Sequence, residues 1–260
     1  MSDIAMPSAF LGHGSPMNAV ETNRWTESWQ TFGLDSPKPR AILVISAHWY
    51  INATAVTAMP SPRTIHDFYG FPDELFAVQY PASGDPDLAQ EIAEVLAPHS
   101  VELDRDSWGI DHGAWSVLVH VRPEADVPVI QLSIDASKPL ADHFALGVAL
   151  EPLRALGIMI IGSGNVVHNL GRIDWSSPDG GYDSTRRFDE RAREIMTSDP
   201  ASIGQLLDHP DWSAAVPTPE HFLPLAYIAG IAAAAGTTAQ TLIEGYAFGS
   251  LSMTSYVVNR

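Results

Sequence analysis

The feature that most constrains this chain is a set of short, unbroken aliphatic runs. AILVIS (Ala41–Ser46), VPVIQLSI (Val127–Ile134) and IMII (Ile158–Ile161) are rich in β-branched residues and too short for full helices. They lack the polar–apolar alternation of a half-exposed strand, so they read as strands buried on both faces. Ser8–Leu11, Ala53–Ala58, Thr238–Glu244 and Ser252–Val258 complete the set of strand candidates. Helical patterns lie between them. Asp85 caps a run through Leu96 that places Leu88, Ile92 and Val95 on one face. Leu140–Leu156 is a second helix, broken or kinked at Pro152. Phe188–Met196 is charged and amphipathic, and Phe222–Ala235 is apolar almost all round, which implies burial. Alternating strands and helices predict an α/β fold with a central, mostly parallel or mixed sheet covered by helices on both faces. No linker or repeat divides the 260 residues, so a single domain spanning 1–260 is expected. Two long loops, Pro60–Ser83 and Ser176–Tyr182, are where function is expected.

Composition removes several classes of function. The formal charge of −17 repels phosphate backbones, so no nucleic-acid partner is expected. There is no cysteine, which excludes disulfides, thiolate nucleophiles and Cys-ligated zinc or iron–sulfur clusters. Any transition metal must therefore be held by His, Asp or Glu. The start MSDIAMPSAF lacks the basic opening of a signal peptide. The small-apolar run Leu225–Gly236 spans about 12 residues, short of the roughly 20 a membrane helix needs. No membrane partner and a cytoplasmic location are expected.

Five of the ten histidines sit at the ends of predicted elements: His13 in LGHGSPMN, His48 after AILVISA, His112 in DHGAW, His168 in GSGNVVHN and His221 in PEHFLPL. Loops at strand ends are where α/β proteins place ligand groups, and neutral imidazole is a common ligand for divalent first-row metals. Any one of these residues alone reads as structural. Five so placed point to a metal site that the fold would have to assemble, since their spacing matches no local metal motif. His99, His120, His143 and His209 read as structural or solvent-facing, whereas His66, in the aromatic loop TIHDFYGFPDELF, could line a pocket. GSGN lacks the third glycine of a dinucleotide fingerprint, and neither a P-loop nor a G-x-S-x-G elbow is present. Ser15 and Ser163 could be nucleophiles only in principle.

Five motifs, GHGSPMN, PRAILVISAHW, DHGAWSVLVH, GSGNVVHNL and EHFLPLAYIAG, occur in this order. Together they resemble the class III extradiol ring-cleavage dioxygenases, in particular the 4,5-DOPA extradiol branch, over nearly the whole chain from Phe10 to about Tyr256. The loop TIHDFYGFPDELFAVQYPASG is similar to that family's substrate-side loop. The resemblance implies one divalent metal held by His13, His48 and His221, with His168 as a fourth ligand or an acid/base and His112 beside substrate and dioxygen. It implies Fe(II) for activity, with Zn(II) possible as the bound ion. The partners implied are a small, DOPA-like catechol and O₂, and the product a ring-opened semialdehyde. Members that cleave protocatechuate use two His and one Glu, whereas here the third position is His221 with Glu220 beside it, which leaves the metal open between iron and zinc. A zinc hydrolase of a small amide or ester, with Glu220 or His168 as base, and a non-catalytic binding protein on the same scaffold are the alternatives.

The motifs carry aromatics and no cluster of Lys or Arg; Arg63 and Arg172 are the nearest basic residues in sequence. Trp49, His66, Phe68, Tyr69 and Trp115 are expected to line a pocket for one monocyclic catechol, with Phe71 and Phe222 close by, closed partly by Arg63–Tyr80.

Overall fold

The computed structural model describes residues 5–259; residues 1–4, including part of the N-terminal stretch considered above, and Arg260 lie outside it. The elements in order are β1 (Ser8–Gly12), α1 (Arg24–Asp35), β2 (Ala41–Ile51), β3 (Ala55–Thr57), α2 (Asp73–Phe76), α3 (Pro86–Val95), β4 (Glu102–Asp104), α4 (His112–Val121), β5 (Val129–Asp135) and α5 (Leu140–Leu150). There follow β6 (Ile158–Gly164), α6 (Asp183–Ser198), α7 (Trp212–Ala215), α8 (Leu223–Ala234), β7 (Gln240–Ile243), β8 (Tyr246–Ala247), β9 (Leu251–Ser252) and β10 (Ser255–Val258).

Eight strands form one mixed sheet in the order β4-β3-β5-β2-β6-β1-β10-β7. Its centre is parallel: β5 pairs with β2, β2 with β6 and β6 with β1. The β10 and β7 edge and the β3–β5 pair are antiparallel. The apolar runs behave as strands covered on both sides. In β2, Leu43 and Ile45 enter one core with residues of α3, α5, α6 and α8. Ile42 and Val44 enter the other core with residues of α1 and α4. Each such side chain contributes about 1.5–3 kcal/mol on full burial, so the central strands are pinned from both faces.

Two elements exceed the sequence reading. Helix α1 was not anticipated, although its signals are local: Asn23 and Thr26 form a reciprocal capping box, and Trp25, Trp29 and Phe32 fall on one buried face. Helix α4 begins at the DHGAW motif and buries Ala114, Trp115, Val117 and Leu118. The predicted 140–156 helix stops at Leu150, and Pro152 lies in a 3-10 turn over Glu151–Leu156. That is the expected effect of a ring with no N–H to continue the helix.

Three adjacent parallel strands, β2, β6 and β1, deliver their carboxyl ends to one edge of the sheet. Strand β2 also loses register with β5 between Ile45 and Tyr50. The extra residues lift Ser46–Trp49 out of that ladder, and His48 lies among them.

Candidate metal centre and cleft

His13 follows β1 directly, His48 lies in the irregular part of β2, and His221 precedes α8. Each offers a nitrogen within 4.8 Å of the others. The sheet edge accepts His221 because Gly164 ends β6: a Cβ there would collide with the His221 backbone carbonyl. Helix α4 is drawn in the same way. Its cap, Asp111, is fully buried and accepts from Ser46 Oγ at 2.7 Å, Gln131 Nε2 at 2.7 Å and the Ala114 amide at 3.1 Å. Gly113 then passes so close to β2 that an added Cβ would lie 2.6 Å from His48 Cδ2. His112, the first residue of α4, is thereby set beside His48, with ring centroids 3.8 Å apart.

Hydrogen bonds at His13 and His221, and a carboxylate contact at His48, set which nitrogen each ring presents. Ser163 Oγ donates to the Gly113 carbonyl at 2.5 Å, so it can only accept from His13 Nδ1, 2.9 Å away. His221 Nδ1 donates to Glu220 Oε1 at 3.2 Å, and Thr218 Oγ1 donates to the same oxygen at 2.7 Å. His48 Nδ1 lies 3.2 Å from Asp67 Oδ2. All three rings are thus left with an Nε2 lone pair. His13 Nε2 and His48 Nε2 are 3.4 Å apart. Two lone pairs facing at that distance repel unless a cation lies between them. Two nitrogens about 2.0–2.1 Å from one ion, at a tetrahedral angle, are separated by roughly 3.4 Å. The donor set therefore fits a divalent first-row ion. Burial first, and then the neighbouring imidazoles, push His13 and His221 well below the usual histidine range, so both hold the neutral, ligating form.

Asp67 holds the second ring pair. Its Oδ1 accepts from the His112 backbone amide at 3.0 Å and lies 2.9 Å from His112 Nδ1, oblique to the ring's N–H direction. Burial alone would raise this carboxyl, but the His112 and His48 ring contacts outweigh it and hold it well below the usual range. Burial lowers His112 despite the pull of Asp67. The arrangement is an anion between two imidazoles. His168 stacks on His221, with ring centroids 3.5 Å apart and planes 4° from parallel. Burial pushes His168 down to about 4.

These five histidines line a cleft of about 850 Å³, within the roughly 300–1,000 Å³ usual for small-molecule sites. Phe68, Tyr69 and Phe71 line it from the long loop, and among the described residues no Lys or Arg does. Glu21, Asp67 and Asp179 supply its acidic side chains. Tyr69 is 92% exposed at the mouth.

Three expected pocket residues do not line the cleft. Trp49 alternates to the side opposite His48, where it is buried and stacks on Trp108. Trp115 is buried and donates from Nε1 to the Ile65 carbonyl at 2.7 Å. His66 donates to the Val78 carbonyl at 2.9 Å and packs on Phe68 and Trp115, supporting the loop from behind. Phe222 also belongs to the core, against Phe188 and Trp212. The loop's inward polar residue is Asp67, one position from the His66 that its sequence singled out. Arg63 donates to the Ser107 carbonyl and Arg172 lies over the Tyr182 ring. His120, His143 and His209 bond to Asn18, Tyr227 and the Asp211 amide, apart from the cleft. Ser15 caps a turn at Met17. Asn165, not anticipated, ties three site segments together: its Oδ1 accepts from the Gly14 amide, its own amide N–H donates to the His221 carbonyl and its Nδ2 donates to the Ser252 carbonyl.

A mixed α/β sheet with a histidine cluster at its parallel strand ends is the setting in which the comparisons with known proteins fall. Residues 8–259 match the family described as the catalytic LigB subunit of aromatic ring-opening dioxygenase, and the chain belongs to that family, in the class III extradiol branch. It is 48% identical to the 4,5-DOPA dioxygenase extradiol of Escherichia coli K12 over 98% of this chain and 95% of that protein. It is 38% identical to the protein of the same name from Beta vulgaris, over 95% of this chain and 94% of the relative. A crystal structure of an uncharacterized Escherichia coli K12 protein superposes with a TM-score of 0.84 at 43% identity, covering 98% of this chain and all of that one. Among the described residues, no helix is long and apolar enough to cross a membrane.

Proposed function

We propose that this chain is a single-domain, Fe(II)-dependent extradiol dioxygenase that opens the ring of a small, DOPA-like catechol with O₂ to give a semialdehyde. The observation that carries the proposal is the facing pair of Nε2 lone pairs on His13 and His48, with His221 alongside and a fixed acceptor at the Nδ1 of each ring. His13, His48 and His221 would hold the metal. The chemistry a redox-active ion would supply there is electron transfer between a bound catechol and O₂, which closed-shell Zn(II) could not provide.

The remaining residues handle protons and water. A ligand's lone pair lies in its ring plane, and the planes of His168 and His221 are parallel and 3.5 Å apart. His168 is stacked on His221 and lies outside the His13, His48 and His221 group, so it is assigned the acid/base role instead of a fourth ligand. His112, with its Nδ1 turned to Asp67, presents Nε2 as the acceptor for a catechol hydroxyl proton. Phe68, Tyr69 and Phe71 offer ring faces to a planar substrate and limit the entry of water. The names of the Escherichia coli and Beta vulgaris relatives support the extradiol outcome and the DOPA-like substrate.

The test is anaerobic loading with Fe(II), addition of a panel of catechols, then oxygen uptake with product spectra. One O₂ consumed per catechol, with a yellow ring-opened product, is expected. Hydrolysis of small esters or amides by the Zn(II) form, with no oxygen uptake from the Fe(II) form, would replace this reading with a zinc hydrolase.

A further inference from the structure

The loop between β3 and α3 places one carboxylate between two imidazoles of different duty. Asp67 Oδ2 is 3.2 Å from His48 Nδ1, and Oδ1 is 2.9 Å from His112 Nδ1. The side chain is 21% exposed, so most of its surface is already committed to these rings. The same Oδ1 also accepts from the His112 backbone amide, at the first turn of α4. We propose that Asp67 is a positioning residue that sets the tautomer of a metal ligand and of the proton-accepting histidine at once. The inference rests on the dioxygenase reading above and goes beyond it by assigning a duty to a residue outside the ligand and acid/base sets.

The physical case is one of complementary charge. An ionised carboxylate in contact with two ring nitrogens favours a proton on each, because two acceptors at 2.9–3.2 Å would repel. His48 is then obliged to turn its Nε2 lone pair toward His13 Nε2. His112 is likewise obliged to present a bare Nε2, which makes it a base and leaves the acid role to His168. Among the described residues no other carboxylate is paired with His48, and the second acid near His112, Asp111, spends its oxygens on Ser46, Gln131, Trp108 and the Ala114 amide. Phe68, Tyr69 and Phe71, which line the substrate side of the cleft, follow Asp67 in the chain. Seating of that loop and orientation of both imidazoles therefore occur together.

Asp67→Asn is the informative change. An amide is nearly the same shape but has one acceptor and one donor group, so its NH₂ must face one of the two Nδ1–H groups and force that ring to the other tautomer. Two readouts separate the arms. The first is Co(II) binding, followed by its visible spectrum, which reports on His48 without any turnover. The second is kcat and KM for the Fe(II) form at saturating metal, which reports on His112. Asp67→Asn should weaken Co(II) binding by about 10–100-fold, the usual effect of losing a ligand's orienting partner, and should lower kcat with little change in KM. The double variant Asp67→Asn/His112→Ala should bind Co(II) as weakly as Asp67→Asn but turn over no more slowly than His112→Ala, because the Asp67 effect on turnover passes through that ring. Wild-type Co(II) affinity and kcat in Asp67→Asn would overturn the proposal, as would fully multiplicative losses of turnover in the double variant. If the wild-type protein binds Co(II) yet consumes no O₂ with any catechol, the dioxygenase reading fails. The Asp67–His48 link is then judged by Co(II) affinity alone, with an unchanged affinity in Asp67→Asn overturning it.

Discussion

Ser163→Ala should be more damaging than a missing hydroxyl suggests. Ser163 is fully buried near the end of β6, and its Oγ stands between His13 and the start of α4. It accepts from His13 Nδ1 at 2.9 Å and donates to the Gly113 carbonyl at 2.5 Å. Removing it leaves the buried His13 Nδ1–H without its acceptor, whereas the Gly113 carbonyl remains an acceptor within the first turn of α4. One such stranded group costs about 1–3 kcal/mol, so the metal-free protein should lose about that much stability. For a domain of this size, about 2 kcal/mol corresponds to a drop in melting temperature of roughly 4–8 °C. There is a separate effect on the site. Without an acceptor at Nδ1, His13 can move its proton to Nε2, where it would hydrogen-bond to His48 Nε2, 3.4 Å away, and block the position assigned to the ion. Metal affinity should fall by about 10–100-fold. Urea unfolding of the metal-free protein at pH 7 measures the first quantity, and Co(II) or Zn(II) titration measures the second. A variant with wild-type stability and wild-type metal affinity would refute the claim that the His13–Ser163–Gly113 chain fixes this ligand.

Three further outcomes can be checked independently. His168→Ala should abolish turnover while retaining one metal per chain by elemental analysis; loss of the metal would make His168 a ligand and contradict its stacking on His221. Because no Lys or Arg lines the cleft and Glu21 and Asp179 do, kcat/KM should favour DOPA or a neutral alkylcatechol over protocatechuate; a tenfold preference for protocatechuate, about 1.4 kcal/mol, would contradict this and direct attention to Arg63 or Arg172. Asp189, on α6, accepts from Ser252 Oγ at 2.5 Å and Thr254 Oγ1 at 2.8 Å, and burial raises its carboxyl to about 6 despite these bonds. A raised acid binds its proton more tightly in the folded state, so its contribution is present below the unfolded value and is lost as pH rises from about 4 through about 6. Asp189→Asn should remove that decline, and an unchanged difference in urea stability between pH 4.5 and pH 7 would show that Asp189 does not titrate in this window.

Much of the architecture is legible in the chain because burial on two faces leaves a local mark. AILVIS, VPVIQLSI and IMII became β2, β5 and β6 because continuous apolar runs can be covered only inside a sheet with helices on both sides. The five histidines at element ends were visible for a related reason, since a parallel sheet brings the ends of its strands to one edge. Which of their nitrogens face one another is another matter. That depended on Ser163, Glu220 and Asp67, contacts in which partners lie one residue apart in one case and 150 in another, and no periodicity records such pairings. Trp49, His66 and Trp115 were misplaced for the same reason. A side chain's direction at a register break or in an irregular loop is set by what packs behind it, so Trp49 went to Trp108 and His66 to the Val78 carbonyl, while the neighbouring Asp67 turned inward. The sequence by itself determined the layers, the placing of histidines at element ends and the absence of cysteine. Only the tertiary structure decided the tautomers, the open side of the site and the carboxylate that joins two of its rings, because these depend on distances between segments that are brought together only by folding.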